Sequence, residues 1–89
     1  MRYFFDTRDD SHVVRDEIGL DLDGPEAARD EATRGLADLA RDALPGATRR
    51  ELAVEVRDDA DRAVLRAALW FEVAAIAGPA GETGTRARG

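Results

Sequence analysis

All five aromatic residues of this chain fall in two short clusters, Tyr3-Phe4-Phe5 and Trp70-Phe71, and in each cluster the aromatics are adjacent. Both segments read as β-strands. Successive strand side chains point to opposite faces, so neighbouring aromatics put large apolar groups on both sides of a sheet. The pattern supplies only one helix, and one helix covers one face of a small sheet. The second face then stays exposed, is covered by the C-terminal tail, or meets a partner.

Residues 2 to 8 alternate with Tyr3 and Phe5 on one side and Phe4 on the other, and Asp9-Asp10-Ser11 supplies a turn. His12-Val13-Val14 returns as a second strand, irregular around Asp16-Glu17 and continued by Ile18, Leu20 and Leu22. Asp23-Gly24-Pro25-Glu26 then opens a helix: Asp23 or Gly24 serves as N-cap, Pro25 fits the first turn, and Glu26 suits the positive dipole end. Ala28, Ala32, Leu36, Leu39, Ala40 and Ala43 form one narrow apolar stripe, and Leu44-Pro45-Gly46 ends it. With so much alanine in the stripe, Leu36 and Leu39 are expected to fill the space above the sheet. Leu52, Val54 and Val56 alternate with polar neighbours as a third strand, Asp58 to Asp61 turns, and residues 63 to 73 run back. In that last strand Leu65, Ala67, Leu69 and Phe71 share one phase, and Val64, Arg66, Ala68, Trp70 and Glu72 share the other.

The expectation is an α+β domain over residues 1–76. A small antiparallel sheet of about four strands, in the spatial order 2-1-3-4, carries one helix on one face, with chain order β-β-α-β-β. Residues 77–89 hold no apolar period and are expected to form a flexible tail.

Composition narrows the function classes. Cysteine is absent, which removes disulfides, thiolate catalysis and cysteine-based zinc sites, and suits the cytoplasm. No segment approaches the ~20 apolar residues of a membrane span. The formal net charge is -6, and every cation is Arg because Lys does not occur. Asn and Gln are missing too, a bias that G+C-rich codon usage explains most simply. A net-negative chain repels phosphate, so nucleic acid would need a local arginine patch. Arg57, Arg62 and Arg66 near the last hairpin, with Arg49-Arg50, are the candidates for a single-stranded RNA-binding sheet. Glu55 and Glu72, on the same outward phase, oppose it.

The chain resembles a family of short bacterial proteins known only as a domain of unknown function. The resemblance rests on Arg2-Tyr3-Phe4-Phe5-Asp6, Asp16-Glu17-Ile18-Gly19 and the helix start Glu26-Ala27-Ala28-Arg29-Asp30-Glu31-Ala32, and extends through Val73. It implies this architecture and brings no catalytic residues. Members commonly have glycine in the final hairpin where this chain has Ala60, so that turn is expected to be distorted or longer. In layout and acidity the chain is also similar to antitoxins that shield a basic toxin, which is the alternative protein-partner role.

No constellation for catalysis, metal or cofactor emerges. Ser11 and His12 are the only Ser and His, but neighbours on an extended segment point apart, whereas a nucleophile and its base must meet. Asp6, Asp9, Asp10, His12, Asp16 and Glu17 concentrate oxygen ligands near the first hairpin without the spacing of a calcium loop. The expected role is therefore a non-catalytic interaction or regulatory domain that self-associates as a homodimer through the sheet. Phe4, Val64, Ala68 and Trp70 are the candidate contact residues. Phe4 and Trp70 together offer roughly 300 to 500 Å² of aromatic surface, which doubled across a two-fold axis gives roughly 600 to 1,000 Å², short of the ~1,200 Å² at which stable interfaces begin.

Overall fold

A computed structural model describes residues 1–76, and the tail expected over 77–89 lies outside the described residues. Six elements follow in order: β1 (Arg2–Asp9), β2 (His12–Val14), β3 (Leu20–Asp21), α1 (Pro25–Ala43), β4 (Arg49–Asp58) and β5 (Ala63–Glu72). All strand pairings are antiparallel, in the spatial order β2-β1-β4-β5, with β3 also on β1. The expected α+β class and strand order both hold. The sheet has five strands because the irregular second strand divides into β2 and β3.

That division has a visible cause. β2 pairs with the end of β1, from Thr7 opposite Val14 to Asp9 opposite His12, and β3 pairs with its beginning, Arg2 opposite Asp21 and Tyr3 opposite Leu20. Between them the chain bulges away from β1 over residues 15–19. Gly19 turns it back with φ +77°, a left-handed conformation that glycine adopts without a side-chain clash.

Gly24 caps α1 with extended backbone and no side-chain hydrogen bond, so Asp23 stands outside the helix. Its carbonyl accepts the Ala28 N–H at 3.0 Å, and Pro25 costs nothing at the first helical position, where the N–H has no intrahelical partner. At the other end the Leu44 N–H reaches the Ala40 carbonyl at 3.0 Å, and Gly46 reverses the chain with φ +86°.

α1 lies mainly over β4 and β5. The core joins Tyr3, Ala28, Ala32, Val54 and Val56, with Phe5, Leu22, Leu36, Leu65 and Ala67 packed against it. Only Ala28 and Ala32 of the helix are fully buried. Their short side chains let the helix lie close to β4, and Leu36 and Leu39 are each half-buried. Leu36 does pack against the core, but the largest fully buried side chains are those of β4, Leu52, Val54 and Val56, rather than the two helix leucines. No helix among the described residues is long and apolar enough to cross a membrane.

Candidate functional site

Alternation along the strands sends Tyr3, Phe5, Val54 and Val56 to the helix side and Phe4, Asp6, Arg8, Glu55 and Arg57 to the open face. The register arranges that open face in rows. Phe4 stands opposite Arg57; Asp6 opposite Glu55 and Arg66; Arg8 opposite Ala53 and Ala68; Glu51 opposite Trp70. Phe4 and Trp70 are thus separated by three row spacings, roughly 20 Å at the rise of an extended strand. The structure does not bring the two aromatics into one patch.

Phe4 is covered by its own chain. A β-carbon built on Gly19 would fall 2.8 Å from Phe4 Cε2, so the glycine backbone lies directly on the ring. The Arg57 guanidinium closes it from another side, 4.7 Å from the ring centroid. Phe4 is consequently half-buried, and where the sequence left its face exposed, covered by the tail or met by a partner, Gly19 and Arg57 lie against its ring.

Asp16 organises this cover. Its Oδ2 accepts the Phe5 N–H at 3.0 Å, and its Oδ1 accepts the N–H groups of Ile18 and Gly19 at 3.0 and 3.1 Å. The Phe5 amide lies in the gap between β2 and β3, where β1 lacks a strand neighbour, so the carboxylate replaces a missing ladder partner. Asp6 accepts the Asp16 N–H at 2.8 Å and the Arg57 Nε–H at 3.0 Å, while the Asp16 carbonyl accepts from Arg57 Nη2. Burial opposes ionisation of Asp16, but the three amide hydrogen bonds and the Arg57 charge hold its carboxyl below the ordinary range. Hydrogen bonding to Asp6 raises Arg57 in turn, so this arginine stays a fixed cation.

Sequence reasoning missed this cluster because its partners are distant in the chain. Its local trace is an aspartate two and three residues ahead of the amides it holds, the signature of an Asx-type turn. Asp58 does the same for the β4–β5 hairpin: it is 5% exposed and accepts the N–H groups of Ala60 and Arg62 at 2.9 Å each. The Arg62 amide bond is the leading cause that lowers its carboxyl below the usual range.

The remaining open face is a lattice of ion pairs. Glu55 binds Arg66 at 3.0 Å and Arg8 at 3.7 Å, and Arg57 binds Asp6. Of the arginines considered for RNA, Arg57 and Arg66 are thus set against carboxylates of the open face, Arg50 and Arg62 against Asp9 and Asp58 on the helix-side phase, and Arg49 lies over Trp70. At the first hairpin Arg50 Nη1 lies 2.8 Å from both Asp9 oxygens. Among the described residues no three His, Asp or Glu side chains converge as metal ligands. Ser11 and His12 both sit exposed at the β1–β2 turn. On α1 the acidic residues alternate with arginines, as in Glu31–Arg34 and Asp38–Arg41, rather than forming one acidic face.

The other three candidate contact residues lie on one side of β5, where Ala68 neighbours Trp70 and Val64 stands three row spacings from Trp70, beyond Arg66. Trp70 is 66% exposed and Val64 44%, with Ala68 exposed between them, and the Arg49 guanidinium lies 5.9 Å from the Trp70 ring centroid. β5 is also the outer strand: ten residues long, without proline, and with no strand beyond it among the described residues. Among the described residues its outer edge carries unpaired backbone donors and acceptors, the template on which another strand adds.

No match was found among curated proteins or solved structures. A family model described as a domain of unknown function (DUF6894) matches residues 2–70, and the chain belongs to that family.

Proposed function

We propose that this chain is a small, non-catalytic interaction domain of the bacterial cytoplasm that works as a homodimer assembled through its sheet. The observation that carries the proposal is β5, a ten-residue outer strand that presents Val64, Ala68 and Trp70 to solvent. Edge strands of that length are ordinarily shortened, charged or covered, because a long apolar one associates. Arg66 and Glu72 are the charges β5 carries, and both lie on the open-face phase. Phe4 has no part in the contact, since Gly19 and Arg57 already cover it.

Light scattering across a concentration series tests the proposal. The wild type is expected to show twice the monomer mass, and Trp70→Glu to shift the equilibrium toward monomer. A wild-type protein that stays monomeric at every concentration overturns it.

A further inference from the structure

The ladder between β4 and β5 fixes which backbone groups look outward. The Val73 N–H donates to the Thr48 carbonyl at 2.8 Å, in line with the register that sets Arg49 opposite Glu72 and Leu52 opposite Leu69. Hydrogen-bonded pairs alternate along an antiparallel ladder. Leu69 and Phe71 therefore direct their N–H and C=O groups to β4, while Arg66, Ala68, Trp70 and Glu72 direct theirs to the free edge.

We infer that two copies join by antiparallel pairing of β5 with β5 about a two-fold axis through Leu69. This rests on the self-association proposed above and names its surface and register. In this register Arg66 faces Glu72 of the second copy, and symmetry makes that ion pair twice. Ala68 faces Trp70 of the second copy and Ala67 faces its Phe71, so on each face a small side chain meets a large one. Leu69 meets its own counterpart at the axis. Arg66 donates through Nε to Glu55 of its own sheet at 3.0 Å, and its Nη groups supply the donors for Glu72 of the second copy.

Neighbouring registers lack this match. With the axis through Ala68, Arg66 faces Trp70, Glu72 faces Val64, and two methyl groups meet at the centre. With the axis through Trp70, Glu72 faces Ala68 and two indoles oppose each other. Only the axis through Leu69 pairs the two charges of β5 with each other and alternates large with small. Edge pairing about an axis perpendicular to the sheet also leaves both helices on the same side, so one sheet runs through the dimer.

The chain contains no cysteine, so a single introduced thiol reports the register. Leu69→Cys would set two thiols across a non-hydrogen-bonded pair, where Cα atoms lie about 4.5 Å apart, inside the roughly 4.4 to 6.8 Å that disulfides span. Under mild oxidation this variant is expected to become a covalent dimer. Ala68→Cys is expected to cross-link poorly, since its counterpart is a diagonal neighbour roughly 7 to 8 Å away. Preferential cross-linking of Ala68→Cys overturns the register.

A second measurement avoids the half-buried Leu69. Arg66→Glu alone and Glu72→Arg alone each place like charges opposite one another twice, and both are expected to be monomeric with intact thermal transitions. Mixed in equal amounts, they restore two opposite-charge pairs, and a heterodimer is expected. If the mixture stays monomeric while the wild type dimerises, the β5 register fails and self-association through another surface stands. A monomeric wild type overturns both, and protected amides at Ala68 and Trp70 in that monomer would mean that a segment of the same chain covers the edge.

Discussion

Gly19 lies flat against the ring of Phe4, close enough that any β-carbon at that position would stand 2.8 Å from Cε2 and 2.9 Å from Cδ2. The contact joins two features that the sequence presents separately, an aromatic on the open face and a glycine between two broken strands. It also explains why the β2–β3 connection bulges: the chain leaves β1 to pass over Phe4 and returns through the positive φ of Gly19.

Gly19→Ala is therefore expected to destabilise the domain by about 1 to 3 kcal/mol, combining a backbone conformation that alanine disfavours with overlap on a ring that Arg57 holds in place. Urea denaturation checks this, and wild-type stability in the variant would show that the bulge is free to move off Phe4.

Asp16 and Asp58 should make the fold acid-sensitive. An unfolded aspartate titrates at about 3.9, and both carboxyls lie lower in the folded chain. The unfolded state then binds more protons than the folded one as pH falls, so their stabilisation is complete above the unfolded value and disappears through the folded values. Thermal midpoints are expected to be flat above about pH 5 and to drop below pH 4. Asp16→Ala is expected to cost about 1 to 3 kcal/mol at neutral pH, because it leaves the Phe5, Ile18 and Gly19 amides without their acceptor, and to flatten the acid limb. An unchanged acid limb in the variant would remove Asp16 as a cause.

The contrast between what was and was not legible follows sequence separation. Periods of two and three to four residues mark β1, β4, β5 and α1 directly, and Pro25 and Gly46 mark the helix ends within the chain's own neighbourhood. The inward and outward phases of Phe4, Phe5, Trp70 and Phe71 follow from the same local rule. What covers Phe4 does not, because Gly19 and Arg57 reach it from 15 and 53 residues away. That β4 rather than Leu36 and Leu39 supplies the largest fully buried side chains was also hidden, since the stripe shows which helix face is inward but not where the axis lies across the strands. The candidate contact residues divided accordingly: Val64, Ala68 and Trp70 share one side of β5, as the local alternation implies, whereas Phe4 is half-buried by a tertiary contact.

Gly35 offers a gain in stability. It lies inside α1, and a β-carbon there would meet Val54 Cγ2 at 3.8 Å, an ordinary contact distance. Gly35→Ala should therefore stabilise the domain by about 0.5 to 1 kcal/mol, through reduced freedom of the unfolded chain and one added apolar contact. A lower midpoint in the denaturation curve would mean that the helix cannot keep its distance from β4 with the methyl in place.

The β4–β5 hairpin places its strained residue one step from where the family resemblance would put a glycine. Asp61, not Ala60, has positive φ, at 64°, and the register shifts between Val56 and Arg57 just before the turn. Substitutions at the two positions should behave oppositely. Asp61→Gly and Asp61→Ala both delete the carboxylate that approaches Arg15 and Arg57 at 3.1 and 3.4 Å, so their difference isolates the backbone. The glycine variant is expected to be more stable by roughly 1 kcal/mol, because it adopts the left-handed conformation without a Cβ clash. At position 60 glycine only adds freedom to the unfolded chain, and Ala60→Gly is expected to lose about 0.4 to 1 kcal/mol. If Ala60→Gly proved stabilising instead, the turn in solution would carry its positive φ at residue 60, and the hairpin register leading into β5 would move with it.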